Sequence, residues 1–469
     1  MSGPVFLNSD SAKVIHEAQL QVLEKTGVYV NHAEAEALYL DAGAKRDADG
    51  RILLPPAMVE AALKKAVPEV QMYDRDGAPA MLLKAGATYF GPGSDAQWAI
   101  DRKTGSLRLS TLTDCAENVR VVDSLDSFHF VMSMSLPCDV QPQKLYPAVF
   151  AEMVRNSTKP IVATATNLED LQRVHRIACT VAGGEAAFRA RPFFLAYLEP
   201  ISPLRIEASI AARVLFCAEK GIPMCFAAGA NCGSGAPITP EGGVVQGGAE
   251  SLAGLVLALL KNRNAKFVYG ANTSSADMRN GMVCYGAPEW FRTVAMYADM
   301  GRYYNLPTWG TAGCSDAHRL DAQAGMEAYE GILLAIQSGS TLVHDVAYLA
   351  YGSLYDTRML VLTNMMIKRA YSLLNRADLS PDALAVDLID EVARTGVPYL
   401  AQMHTAMNFR RTLWMPPSFI NRNKISAYPE ERELGAMLTD EVNSILASHT
   451  PKPLDESREK EIQAIIRAC

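Results

Sequence analysis

The chain has 469 residues, with 44 lysines and arginines against 51 aspartates and glutamates, a net charge of -7 and 49% hydrophobic residues. That length supports a large core, and the mild acidity excludes nucleic acid or an anionic membrane as the main partner. Nine cysteines (115, 138, 179, 217, 225, 232, 284, 314 and 469) are odd in number and form no CxxC pair. They read as reduced thiols of a cytoplasmic protein, not as a disulfide framework or a structural zinc site. Met1-Ser2-Gly3-Pro4 lacks the basic and apolar regions of a signal peptide, and the most apolar helical stretch, Leu252 to Leu260, is too short to span a bilayer.

Residues 1–80 read as an N-terminal helical segment. Ser9-Asp10 is expected to cap a helix whose apolar positions Val14, Ile15, Ala18, Val22 and Leu23 recur at helical steps. A second helix is expected over 32–44 and a third over 55–67, where proline suits the first turn. Ile100 to Leu109 reads as a hairpin with a Thr-Gly turn. Through residues 81–375 short apolar runs end in glycine or small polar residues, and most are followed by an amphipathic helix. The runs are 87–90, 128–131, 161–165, 193–198, 224–228, 266–269, 308–310 and 341–343, and their ends recur 31 to 42 residues apart. Eight strand-plus-crossover units in unbroken rhythm predict an α/β fold, a (β/α)8 TIM barrel. A doubly wound sheet would need a switch point that the rhythm lacks. Residues 376–469 read as a C-terminal helical extension on the barrel flank, with one helix from Ser380-Pro381 to Thr395 and another from Glu431 to His449. It suits contacts in a homo-oligomer or with a partner.

Chemistry in such a barrel gathers at the carboxyl ends of the strands. Those ends carry Ser94, Asp95, Ser133, Ser135, Thr164, Thr166, Glu199, Asn231, Asn272, Thr273, Cys314, Asp316, His344 and Asp345, beside aromatics that include Tyr89, Phe90, Tyr197 and Trp309. A mouth both polar and aromatic fits a small ligand with an apolar or cationic part. Gly229 to Gly235 is glycine-rich but lacks the lysine of a phosphate loop and the spacing of a dinucleotide fingerprint. His344-Asp345 has no second histidine at ligand spacing, so no metal site is expected. Glu250 is the one charged residue between Val244 and Leu260. It reads either as an exposed polar position or as a buried acid at the mouth. Thr308 to His318 gives strand, turn and helix start, and places the thiol of Cys314, the carboxylate of Asp316 and the imidazole of His318 within five residues.

That run, Gly313-Cys314-Ser315-Asp316-Ala317-His318 with Asp321, Gln323, Ala324 and Gly325 after it, resembles the trimethylamine methyltransferase family. Archaeal members carry pyrrolysine in a pattern like Gly-Ser-Pyl-Ser-Asp-Ala-Lys. Laid on it, Cys314 takes the pyrrolysine position and His318 replaces the lysine. Ala249-Glu250 with Gly254, Lys266 to Gly270, Ser202-Pro203-Leu204 and Ser338-Gly339 extend the resemblance over nearly the whole chain. It implies a TIM barrel that delivers a methyl group to the cobalt of a separate corrinoid protein. Cys314 cannot form the imine adduct, so the resemblance implies the branch without pyrrolysine and a quaternary amine, glycine betaine first, with carnitine, proline betaine and γ-butyrobetaine as relatives. The site residues it implies are Glu250 and Cys314 for catalysis. Tyr89, Phe90, Tyr197 and Trp309 are to hold the cation, and His344 and Asn231 the carboxylate. The chain lacks an Asp-x-His-x-x-Gly corrinoid motif, so the cofactor is expected on a partner docking at the barrel mouth. Two other readings stand beside this one: a barrel enzyme using Cys314 as nucleophile with His318 or His344 as base, and a non-catalytic binder of quaternary ammonium.

Overall fold

The computed structural model describes residues 5–426 and 432–469. Residues 1–4, which read as lacking a signal peptide's basic and apolar regions, and the start of the helix expected from Glu431 lie outside the described residues.

One curled sheet of seven parallel strands organises the molecule: β1 (Tyr89–Pro92), β2 (Ile161–Ala163), β3 (Phe194–Leu198), β4 (Met224–Phe226), β5 (Phe267–Gly270), β6 (Thr308–Thr311) and β7 (Leu342–Val346). Neighbours run β1-β7-β6-β5-β4-β3-β2. Each strand falls on an expected apolar run, because a parallel strand with both faces covered reads as a continuous apolar stretch. The remaining run, 128–131, makes no regular strand. It still bonds to both edges of the sheet: His129 N donates to Phe90 O (2.7 Å) and Met134 N to Gly93 O (2.9 Å), while Val131 N donates to Pro160 O (2.9 Å) and Val131 O accepts from Val162 N (3.0 Å). Two features break its ladder. The His129 side chain takes the Phe90 N–H at Nδ1 (3.1 Å), where a backbone carbonyl would accept in a ladder, and Met134 turns left-handed at φ 54°.

The N-terminal segment holds the three expected helices, Ser9–Lys25, Ala33–Asp41 and Pro56–Lys65. Asn8, not Ser9-Asp10, caps the first, its Oδ1 accepting from Ser11 N, and Val14 faces solvent. All three pack on helix Pro240–Lys261. That helix is 22 residues long, longer than its most apolar core suggested, and meets the length and composition of a membrane span. Protein nevertheless buries 78% of its apolar window. Tyr39 Oη donates to Ala253 O (2.7 Å) and Gln19 Nε2 to Val244 O (3.2 Å) across this contact. Its uniform apolarity therefore serves a core helix covered on two sides.

The segment also contains a hairpin, Val70–Tyr73 with Pro79–Leu83, which straddles the expected boundary at residue 80. Val70, Met72, Met81 and Leu83 pack with Phe130, Met132, Val162, Leu195 and Leu342 on the concave side of the sheet. The hairpin sits at the amino ends of the strands: Tyr73 N bonds Pro192 O (3.0 Å), Arg75 N bonds Thr158 O (2.8 Å) and Thr341 Oγ1 bonds Lys84 O (3.0 Å). It forms a floor across the amino ends of the strands.

The hairpin expected over 100–109 pairs Trp98–Ile100 with Leu107–Leu109, joined by Tyr348–Leu349 and Leu354–Tyr355 into a four-stranded sheet. In the C-terminal extension Ser380 caps its helix as expected, but Ala385, at φ 50°, splits it into Pro381–Leu384 and Val386–Thr395. Helices Leu434–Ser448 and Glu456–Arg467 return to the body and bury Leu438, Val442, Ile462 and Ile465.

Candidate active site

Seven of the nine non-glycine residues with positive φ among the described residues stand at the carboxyl ends of the strands: Asp95, Met134, Leu204, Asp345, Ala347, Ala350 and Tyr351. Left-handed backbone costs an ordinary residue roughly 1–2 kcal/mol, and it persists where the surroundings impose a functional geometry. Strain alone thus points to this end of the sheet.

Three rings meet there on the concave side. Tyr197 of β3 and Trp309 of β6 stack with centroids 5.0 Å apart, Trp309 lies 4.3 Å from His344 of β7, and Tyr197 lies 5.9 Å from His344. Alternation along each strand puts Trp309 with Thr311, and Leu342 with His344, on one face. The β6–β7 register pairs Trp309 with Leu342 and Thr311 with His344. A chain of hydrogen bonds crosses the strands. Tyr197 Oη donates to Glu199 Oε1 (3.0 Å), Asn272 Nδ2 donates to Tyr197 Oη (2.6 Å), and Thr311 Oγ1 donates to Asn272 Oδ1 (3.3 Å).

His344 is buried, and burial pushes its imidazole down to about 4, so it is neutral at physiological pH. Its Nδ1 lies 2.9 Å from Gly310 O, a pure acceptor, which places the proton on Nδ1. Nε2 is then an acceptor, 3.3 Å from Asp345 Oδ2. The N–H expected to bind a substrate carboxylate is therefore already used.

Three carboxylates surround the rings. Burial pushes Asp345 up to about 7. Burial pushes Asp95 up to about 6, against hydrogen bonds from Thr164 and Ser94 and with the charge of Asp345 adding to it. Glu199 is raised by burial first, with Asp345 and Asp95 adding to the shift. Glu199 is also exposed, so the water it meets is that of a recess walled by protein. Asp95 and Asp345 both occupy left-handed backbone, and β1 approaches so closely that a Cβ on Gly93 would lie 2.3 Å from Asp345 Oδ1. Among the described residues no group of three histidine, cysteine, aspartate or glutamate side chains is placed to hold a metal ion. Tyr285 adds another ring. It is partly open to solvent, packs edge-on against Trp290 at 4.0 Å, and interacts electrostatically with Asp345, Cys314 and Glu199.

The Gly313–His318 loop forms one wall. Glu327 holds it, accepting from Ser315 Oγ (2.5 Å), Asp316 N (2.9 Å) and Gln323 Nε2 (2.9 Å). Asp316 caps the neighbouring loop through Tyr285 N (2.6 Å) and Gly286 N (2.9 Å). Cys314 is fully buried, with Sγ 3.7 Å from Tyr285 O. Burial, then the charges of Asp345 and Asp316, push its thiol well above the usual range. A thiol kept protonated first by burial is a poor nucleophile; of the two bases expected for it, His318 is exposed and the Nδ1 of His344 faces Gly310 O. Cys314→Ala should accordingly leave turnover within about threefold of wild type. Loss of activity without loss of folding, read by activity beside circular dichroism, would restore a chemical role for the thiol.

Other expected site residues stand elsewhere. Tyr89 lies at the amino end of β1, its Oη bonded to Leu82 N (3.2 Å) and Leu82 O (3.3 Å) in the floor hairpin. Phe90 belongs to the outer core between sheet and helices. Glu250 is buried against the loop after β3, accepting from Ser202 Oγ (2.7 Å), Leu204 N (2.8 Å) and Gln246 Nε2 (3.1 Å). These bonds tie the loop after β3 to helix Pro240–Lys261. Asn231 follows β4, with its backbone O accepting from Gly235 and Ala236 N and its buried side-chain oxygen unpartnered. Trp309 and Tyr197 stand in the cluster as expected. Tyr285 lies 15 residues beyond β5 in a loop without a local sequence signal, and Asp95 and Glu199 are not among the residues expected to bind or react. A charged residue directly after an apolar run was the available sign for Glu199.

The description of the trimethylamine methyltransferase (MTTB) family matches residues 4–468, and the chain belongs to that family. It is similar to the trimethylamine methyltransferase MttB of Desulfitobacterium hafniense (strain DSM 10664 / DCB-2), 28% identical over 96% of this chain and 91% of the relative. It is also similar to the glycine betaine methyltransferase of Desulfitobacterium hafniense (strain Y51), 25% identical over 98% of this chain and 96% of the relative. In fold it resembles the monomethylamine methyltransferase of Methanosarcina barkeri, with a TM-score of 0.52 and 11% identity over 96% of this chain and 89% of that one.

Proposed function

We propose that the chain takes a methyl group from a quaternary amine, glycine betaine first among candidates, and passes it to the low-valent cobalt of a corrinoid carried by a separate protein. The observation that carries the reading is the grouping of Asp95, Glu199 and Asp345 around the rings of Tyr197 and Tyr285. Carboxylates and ring faces together suit a bulky methylated cation, each ring contributing roughly 0.5–2 kcal/mol. The guanidinium of Arg213, which feels the charge of Glu199, is tied to Ser209 O and Ala165 O. The segment 128–135 acts in this reading as an eighth stave that closes the sheet into a barrel. Nine free cysteines suit a cytoplasmic site of action.

A quaternary nitrogen already carries its charge, so its leaving group is a neutral tertiary amine and no acid need protonate it. The corrinoid supplies the nucleophile that accepts the methyl group. The chain's own residues hold the cation, orient one methyl carbon outward and keep water away, which is positioning more than acid–base chemistry. Tyr197, fixed by Asn272 and Glu199, offers a rigid ring. The carboxylates offset the positive charge in the ground state, and that hold weakens as the amine becomes neutral, so they serve binding and specificity more than rate. With glycine betaine bound, its own carboxylate would point to the rim, away from Asp95, Glu199 and Asp345.

The test is absorbance of cob(I)alamin, repeated with a corrinoid protein, as the chain is mixed in turn with glycine betaine, carnitine, proline betaine, γ-butyrobetaine, choline and trimethylamine. Methyl-cobalt formation with glycine betaine is the expected result. Formation with choline alone keeps the reaction and changes the substrate to a cation without a carboxylate, which the acidic mouth would also suit. No formation with any amine overturns the reading and leaves a thiol-nucleophile barrel enzyme or a binding protein.

A further inference from the structure

Between β5 and helix Pro288–Tyr304 the chain makes a small hairpin, Ser275–Ala276 with Val283–Cys284, beyond the carboxyl ends of the strands. Its two legs are held differently. The outgoing leg is tied to the backbone of the loop after β4, where Cys232 N donates to Ser274 O (2.8 Å) and Ala276 N to Cys232 O (3.0 Å). The tip bonds to itself, Asp277 N to Met282 O (2.8 Å) and Arg279 to Asp277 (2.6 Å), and leaves Met278 74% exposed. The returning leg ends at Tyr285, and the Gly313–His318 loop fixes that end. The two carboxylate oxygens of Asp316 take one backbone N–H each, Tyr285 N (2.6 Å) and Gly286 N (2.9 Å), while the Cys314 thiol faces Tyr285 O (3.7 Å). Bonds to a carboxylate are the strong ties and the thiol is a weak donor. Asp316 is in turn held by Glu327, which accepts from Asp316 N (2.9 Å) and lies so close under Gly286 that a Cβ there would be 2.3 Å from Oε2.

The clamp continues onto the ring. Trp290 meets it edge-on with centroids 4.0 Å apart. Gly352, at φ 82°, lies so close that a Cβ would be 3.0 Å from Tyr285 Cε2. The hydroxyl, by contrast, makes no hydrogen bond among the described residues. A side chain fixed at its backbone and ring edges but not at its polar atom is placed for the sake of the ring. That ring stands where the charges of Asp345 and Glu199 are felt.

We propose that Asp316 is a positioning residue that acts through Tyr285, holding the returning leg of the hairpin so that this ring stands as a wall of the cation site. The inference rests on the proposed cation site and names the residue that builds one side of it. A ring already in place gives a methylated ammonium its full attraction, whereas a ring that must first be ordered spends part of it on lost rotamer freedom. Asparagine at 316 keeps one acceptor but turns an amide NH2 toward the other backbone N–H, which pushes the leg away.

Calorimetric titration of the full chain with tetramethylammonium tests this. Tyr285→Phe, which keeps the ring, should bind within about twofold of wild type, and Tyr285→Leu about tenfold more weakly. Asp316→Asn should match the leucine variant. The deciding protein is Asp316→Asn/Tyr285→Leu. With no ring left to place, it should stay about tenfold below wild type, whereas independent roles would multiply to about a hundredfold. Arg279→Ala, at the exposed tip, should change nothing. Wild-type affinity in Asp316→Asn or in Tyr285→Leu, or multiplied losses in the double variant, overturns this inference and leaves the cation site to Tyr197 and the acids. So does a loss in Arg279→Ala as large as that in Asp316→Asn. A wild-type chain that does not bind tetramethylammonium overturns the cation site itself, and this inference with it.

Discussion

Asp345→Asn is expected to stabilise the fold above pH 7 while weakening its hold on a cationic substrate roughly tenfold to hundredfold, the 1.4–2.8 kcal/mol of one charged contact. The sign follows from the direction of the shift. In the unfolded chain this carboxyl ionises in the usual range, but burial raises it to about 7 in the folded protein. Between those values the folded state holds a proton that the unfolded state has lost, so stability falls as pH rises through that window and stays reduced above it. Asparagine does not titrate and tolerates the left-handed backbone of this position. Its advantage should grow from about pH 4 to about pH 7 and then level, at roughly 4 kcal/mol. Cation affinity runs the other way. Asp345 and Asp95 attract a cation only when ionised, so wild-type affinity for tetramethylammonium should rise from pH 5 to pH 8 while that of the variant rises less. Thermal unfolding and calorimetric titration across pH check both halves. Equal affinity of the two proteins at pH 8 would remove the carboxylates from the cation site.

A second large effect is expected at Glu250. Glu250→Ala leaves Leu204 N and Ser202 Oγ without an acceptor, at a cost of about 3 kcal/mol, since a buried donor loses its full solvation. The consequence spreads, because Leu204 O accepts from Tyr29 N (2.9 Å) and the same loop pairs with the N-terminal segment through Tyr29–Arg205 and Val30–Ile206. Glu250→Gln keeps one acceptor and should lose about 1 kcal/mol, with kcat retained. Denaturant unfolding beside turnover separates the roles. A glutamine variant of wild-type stability without turnover would show that Glu250 acts on substrate.

The parallel strands were legible because burial on both faces writes them as unbroken apolar runs with abrupt polar ends. What such runs conceal is direction. Tyr89 and Phe90 sit beside a strand terminus in the sequence, yet one points down to the floor hairpin and the other outward. Alternation separates the two faces but does not say which is concave. Partners far apart in sequence were hidden for a similar reason. Glu250 looks like an anomaly in an apolar helix until Ser202, 48 residues earlier, supplies its hydroxyl. The His344 pairing to Gly310 O depends on register between β6 and β7, which no local pattern encodes. The floor hairpin escaped notice because Val70, Met72, Met81 and Leu83 form two short alternating runs inside a segment that otherwise reads as helical.

That hairpin has a kinetic consequence. It covers the amino ends of the strands, which leaves the carboxyl ends as the face open to a carrier. On the proposed reaction, the protein that collects the methyl group must stand at that face, and the demethylated amine is shut in until it steps aside. Departure of the methylated carrier should therefore precede departure of the amine. Excess unmethylated carrier, re-entering before the amine escapes, should slow turnover.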